Sequence, residues 1–350
     1  MTTQTVTSPI DRAAAPCHLP ACLYCGGGAY DPLCDGVTDR LEYVPGVWSF
    51  WSCRQCRSAM LAPHPRPDQL ASFYPPVYGF APDANRAGTL GRWLARMEYR
   101  WFFQPQYAAQ ARRVLGGIGW NGERGQRLLD VGCGRGLRLL AFRERGFEVH
   151  GMDFQPEVVE YLKRSLGIPA SVCPIDRLGE HFEPASFDLV TAFFVMEHLP
   201  DLDAMLRSCL DVLRPGGWFV GAVPLVDHLQ VRCFGKRWVG ISEAPRHLSL
   251  PSRKGLVEVC RRVGLTDISL RPDTVLACAS HVGLSLFPGA ATSHVYGGGG
   301  LLRTGKRLLA GVATLASVPW CSLENGVLRR PAQALVFARK PDGPRSAYPS

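Results

Sequence analysis

The stretch Leu128-Leu129-Asp130-Val131-Gly132-Cys133-Gly134-Arg135-Gly136 limits what this chain can become more than any other. It reads as a buried strand that runs into a glycine turn and then a helix. Seventeen residues beyond Gly136, a second short strand over 147–152 ends in an acid, Asp153. A unit of this kind grips a nucleoside. Its glycines let the backbone approach the ligand closely, and its carboxylate accepts hydrogen bonds from ribose hydroxyls. A dinucleotide site wants G-x-G-x-x-G, so that a pyrophosphate meets a helix N-terminus. The spacing here is G-x-G-x-G. The third glycine of the dinucleotide pattern would fall on Leu137 or, counted from Gly134, on Leu139.

From Gln126 onward, apolar strand-like runs alternate with helical ones, which predicts an α/β fold with a mostly parallel sheet and helices on both faces. A helix is expected over 155–166 and a third strand over 170–173. The run 187–194 is nearly all apolar, as a central strand buried on both faces should be. A helix over 202–213 is stopped by Arg214-Pro215-Gly216-Gly217, and further strands are expected over 218–223, 265–270 and 332–340. The sum is a Rossmann-like, seven-stranded, mostly parallel sheet.

Ahead of it, Cys22-Leu23-Tyr24-Cys25 and Cys53-Arg54-Gln55-Cys56 form a C-x2-C pair of knuckles. Two thiolates from each half close a tetrahedron around zinc. With Cys22, Cys25, Cys53 and Cys56 as ligands no coordination position stays open, so a Zn2+ held there is structural. The other reading is a set of buried or redox-active thiols, and Cys17, His18 and Cys34 are spare ligands nearby. The 27 intervening residues are absorbed by a hairpin that draws on Tyr43, Val44, Val47, Trp48, Phe50 and Trp51. The chain of 350 residues then divides into a disordered tail (1–18), a small zinc-ribbon-like module (19–62), a linker with a covering helix (63–118), and the main domain (119–345) with an insertion at about 272–331. The covering helix is expected over 89–115.

The hydrophobic share of 46% and charged share of 20% are those of a globular protein. Thirteen cysteines behind a polar, small-residue N-terminus argue for a reducing, cytoplasmic setting. No segment reaches the roughly 20 apolar residues needed to span a bilayer. The net charge of +9 reads either as Arg-rich composition on solvated faces or as attraction to an anionic partner.

Asp130-Val131-Gly132-Cys133-Gly134, Phe187-Asp188, Glu197-His198-Leu199 and Leu213-Arg214-Pro215-Gly216-Gly217 occur in the order seen in class I S-adenosylmethionine (SAM) methyltransferases. Over residues 125–270 they most resemble the branch of ubiquinone-type and sugar methyltransferases. The front knuckles and the Tyr-containing linker resemble the zinc module of NDP-sugar C-methyltransferases, although Arg57 stands where that module often has glycine. The resemblance implies SAM as cofactor, with no phosphate to cradle. Gly132, Gly134 and Gly136 would lie under its methionine part, Asp130 near its amino group, and Asp153 on its ribose. Asp176 faces the adenine amino group or is a surface turn acid.

His198 and His247 are the candidate bases, since an imidazole can accept a proton at neutral pH. Each can equally be a structural histidine bonded to a loop carbonyl. The sugar C-methyltransferase resemblance favours His247, assisted by Tyr74 or Tyr78. The acceptor is then a small or carrier-linked metabolite, such as a nucleotide- or lipid-linked sugar. Two alternatives stand beside it: a zinc-ribbon RNA methyltransferase and a non-catalytic SAM-binding scaffold. Nucleic acid is disfavoured because no Asn/Asp-Pro-Pro-Tyr/Phe motif follows the fourth strand. In the insertion, Leu308, Leu309, Val312, Leu315 and Ala316 share a helix face behind Lys306 and Arg307. That helix is a lid over the substrate mouth or, over 301–320, a peripheral membrane contact.

Overall fold

The computed structural model describes residues 19–74, 97, 100–101, 104–288, 290 and 301–343. Tyr78, the tail (1–18), the glycine run 297–300 and most of 89–103 lie outside the described residues.

The front module is a three-stranded antiparallel meander, β1 (Tyr30–Val37), β2 (Trp48–Cys53) and β3 (Ala59–Ala62). Beyond the linker, helix α1 (Gln104–Gly117) covers one face of the main sheet through Ala111, Val114 and Leu115. The main domain then unrolls as β4 (Arg127–Val131), α2 (Leu137–Arg143), β5 (Glu148–Asp153), α3 (Pro156–Tyr161), β6 (Ala170–Val172), β7 (Phe187–Phe193), α4 (Leu202–Val212) and β8 (Leu213–Pro224). After β8 come α5 (Leu229–Phe234), α6 (Val239–Ser242), β9 (Ser249–Leu250), α7 (Arg253–Arg262) and β10 (Thr266–Pro272). The insertion forms α8 (Val275–Leu286), α9 (Leu301–Ala316) and α10 (Val318–Gly326), and β11 (Gln333–Arg339) closes the sheet.

The seven strands run in the order β10-β11-β8-β7-β4-β5-β6. Only β11 is antiparallel to its neighbours; all other pairs in this sheet are parallel. The strand order reverses at β4, between β5 on one side and β7 on the other. A crevice opens there, at the carboxyl ends of the strands, and ligands bind at such a switch point in open α/β sheets. β7 is buried along its length, as its apolar sequence requires. The 214–217 stop is a bulge inside β8: Phe187 pairs with Leu213, and Leu189 already pairs with Trp218.

The module is built into the main domain. Two residues of the main domain, β9, extend the module's sheet as its fourth strand, with Met60 opposite Ser249 and Ala59 opposite Leu250. One apolar core runs from Tyr24, Trp51 and Met60 through Leu256 and Val259 to Val131, Val190 and Phe219 of the main sheet. The segment carrying His247 is therefore held from the module side.

In the insertion, α9 packs on α8 through its small residues. A Cβ on Gly283 would meet the Ala310 carbonyl at 2.4 Å, so the two backbones nearly touch. The leucine and valine face points outward instead: Leu308 is 68% and Val312 64% exposed.

Candidate active site

The glycine turn follows β4 because its backbone needs dihedrals that side chains resist. Gly132 has φ 67°, and a Cβ there would strike the Val195 side chain at 2.6 Å. Gly134 and Gly136 also have positive φ, and Gly136 opens α2. The Gly134 amide donates to Asp153 Oδ2 at 3.0 Å, and the Gln155 amide donates to Oδ1 at 3.0 Å. The two halves of the motif therefore meet across the crevice, with Asp153 buried at the end of β5. Burial pushes its carboxyl pKa up.

Asp130 is buried and accepts a 2.7 Å hydrogen bond from Thr191 Oγ1. Burial raises its pKa to about 6, with the Thr191 bond opposing. Asp176 sits on an exposed 3-10 turn, Ile175–Glu180, beyond β6. The turn and Asp153 fit an adenosine-bearing ligand that has no pyrophosphate.

On the other side of the crevice, the turn after β7 carries Glu197 and His198. Tyr74 Oη lies 3.1 Å from His198 Nδ1, and its ring stands edge-on to exposed Phe154, next to Asp153. The His198 and His247 rings meet in a T at 4.7 Å. Each imidazole bonds a backbone carbonyl through Nδ1: His198 to Arg246 at 3.1 Å and His247 to Gly240 at 2.6 Å. A carbonyl accepts only, so both rings carry a proton on Nδ1. Burial lowers their pKa values to about 3 for His198 and about 4 for His247, so both are neutral at pH 7. Burial also pushes the Tyr74 phenol up.

Sequence reasoning quoted Glu197 only as part of a motif. The structure buries it completely, 4.0 Å from His247 Nε2, and burial raises its pKa to about 8. It also missed buried Arg246, which pairs with Asp39 of the module and with Glu243. Burial works against the Glu243 charge, but Arg40 and Arg246 bring its pKa down to about 2. Only the opposite charges of Glu243 and Arg246, three residues apart, could have signalled this network.

In the module, Cys22 and Cys56 Sγ lie 3.6 Å apart, Cys25 and Cys53 Sγ lie 3.5 Å apart, and all four sulfurs fall within 4.8 Å of one another. A tetrahedron with Zn–S bonds of about 2.3 Å has edges of about 3.8 Å. The four thiols fit that ion.

The sheet order, with one antiparallel strand, and the glycine-acid crevice define a Rossmann-like, class I SAM methyltransferase fold. Residues 94–270, just over half of the chain, match the family model described as a methyltransferase domain, and the chain belongs to that family. Over 98 residues it is 39% identical to the ubiquinone biosynthesis O-methyltransferase of Xanthomonas campestris pv. campestris; the match covers 27% of this chain and 41% of that protein. It is 38% identical over 98 residues to the protein of the same description from Idiomarina loihiensis, covering 27% and 40%. The match thus spans less than half the length of these relatives. Among solved structures, a SAM-dependent methyltransferase from Archaeoglobus fulgidus is 16% identical with a TM-score of 0.44, covering 71% of this chain and 99% of that one. The phosphoethanolamine N-methyltransferase 2 of Haemonchus contortus is 18% identical with a TM-score of 0.43, covering 73% and 60%.

Proposed function

We propose that this chain transfers the methyl group of SAM to a small or carrier-linked acceptor, with a nucleotide- or lipid-linked sugar as the favoured class. The observation that carries the reading is the Gly134–Asp153 contact across the carboxyl end of the sheet, flanked by the Tyr74–His198–His247 cluster. When bound, SAM supplies a sulfonium methyl already activated for in-line displacement. The protein must then align the nucleophile and handle its proton. Asp153 holds the ribose, exchanging one of its amide contacts for a hydroxyl. Gly132 to Gly136 leave room for the methionine portion, and Asp130 lies at the end of β4 nearest its amino group. His247 and His198, both neutral, stand on the acceptor side as the candidate bases, and Tyr74 contacts His198 Nδ1. The four cysteines hold a structural Zn2+ that fixes the module against the His247 segment.

The outward face of α9 supports an acceptor carried at a membrane surface. Residues 274–331 contain five bases (Arg303, Lys306, Arg307, Arg329, Arg330) and one acid, Glu324, which is buried. Exposed Leu308, Leu309, Val312, Leu315 and Val327 lie among them. An anionic lipid surface complements both features. No helix of the described residues is long and apolar enough to cross a membrane.

Incubation of the purified protein with methyl-labelled SAM and fractionated cell extract tests the proposal. Label in a small-molecule or lipid-carrier fraction is expected. Label confined to RNA, or SAM binding with no labelled product in any fraction, would contradict it.

A further inference from the structure

A cleft of about 270 Å3 opens between the first turn of α7, the end of β10 and the end of α10. It lies on the same rim of the sheet as the donor crevice. Four strand spacings of about 4.8 Å separate β10 from β4, so the two are about 19 Å apart. Arg253, Arg271 and Arg329 line the cleft. Arg253 is fixed from two sides: its Nε donates to Asp227 Oδ2 at 3.0 Å, and its Nη1 donates to the Arg329 carbonyl. Arg271 rests over the Phe337 ring at 5.3 Å. Among the described residues, neither Arg271 nor Arg329 pairs with an acid. Asn325 also lines the cleft; it is 8% exposed, and its Oδ1 has no hydrogen-bond partner. Just outside, Leu323, Val327 and Leu328 are exposed, Val327 at 73%.

Two guanidinium groups without a counter-charge, beside a third that is held in place, suit an anion with several oxygens. We propose that this cleft binds a phosphomonoester, presented by a lipid headgroup or by a soluble metabolite. Such a group carries about −1.5 to −2 charges at pH 7 and accepts guanidinium forks in pairs. The free Asn325 oxygen accepts a hydroxyl, either the P–OH itself or one beside it. The volume falls at the lower edge of the roughly 300–1,000 Å3 of small-molecule sites, which suits a phosphate with a short polyol. Exposed Val327 and Leu328 favour the lipid source, which rests on the membrane contact proposed above. The phosphate site itself does not rest on it, nor on methyl transfer.

Calorimetry with glycerol 3-phosphate, in the absence of any membrane, tests the site. One equivalent is expected. Arg329→Gln, at an exposed position, should weaken it severalfold, and Arg253→Gln with Arg329→Gln at least about tenfold. An unchanged circular dichroism spectrum establishes that the variants are folded. No saturable heat at millimolar glycerol 3-phosphate would overturn the site, as would equal affinity in the wild type and the folded Arg329→Gln variant. Vesicles then separate the sources. Those containing phosphatidic acid should retain the protein more than vesicles matched in charge with phosphatidylglycerol, a phosphodiester, and glycerol 3-phosphate should release it. Equal retention on both, with glycerol 3-phosphate still bound, would remove the lipid source and assign the cleft to a soluble phosphoester. Leu308→Asp with Val312→Asp should abolish flotation and leave glycerol 3-phosphate affinity unchanged, so failure of the membrane contact and failure of the phosphate site give different results.

Discussion

At the scale of single residues, Asp153 and Asp130 look alike in sequence but do different work. Asp153 ties the glycine turn to β5 through the Gly134 amide and accepts a second bond from the Gln155 amide just beyond it. Asp153→Ala should weaken SAM binding tenfold or more, in line with about 1.5–3 kcal/mol for hydrogen bonds to a charged group; calorimetry checks this, and unchanged affinity would remove the ribose role. Asp130 is a buried acid whose folded pKa of about 6 stands above its ordinary 3.8. Its contribution to stability is present below the unfolded pKa and is lost as pH rises through the folded one. Between pH 5 and 7.5 it should cost the fold about 1 kcal/mol, and Asp130→Asn, which still accepts from Thr191, should flatten that decline in denaturant titrations. The glycine turn and Asp153 were legible because only glycine suits the dihedrals and the acid sits at a fixed distance. Glu197 was not, because sequence does not reveal that a carboxylate is fully buried.

Among the elements, the two-residue strand β9 matters out of proportion to its length. No periodicity marks so short a strand, so the module looked separable from the main domain. In the structure Leu61 N donates to the Leu248 carbonyl and Tyr24 Oη meets Ser249 Oγ at 3.1 Å, one and two residues beyond His247. Loss of the zinc knot through paired Cys53→Ser and Cys56→Ser should therefore lower turnover at least tenfold while SAM affinity stays within about threefold, since β4 and β5 belong to the other sheet. A labelled-methyl assay with calorimetry checks this; equal loss of both would mean that the knot supports the whole fold. Helix α9 shows the opposite limit of sequence reading. Its amphipathic spacing was plain, but which face turned inward depended on close packing at Gly283. Flotation with anionic vesicles at low salt should carry the protein upward, and Leu308→Asp with Val312→Asp should leave it in the soluble fraction. Wild-type protein that remains soluble under those conditions would contradict the membrane contact.

For the whole molecule, the seven-strand order places every site element at one end of the sheet. The turn after β4, the acid ending β5, the Glu197–His198 turn after β7 and the His247 segment converge there, with the module packed behind His247. What occupies that crevice decides the chemistry of the site. Calorimetry of well-folded, zinc-loaded protein against SAM, its demethylated product and NAD is the most direct measurement. One-to-one binding of SAM and of the product at micromolar concentrations, with no heat from NAD, is the predicted result. Binding of NAD without either sulfur nucleoside would contradict it.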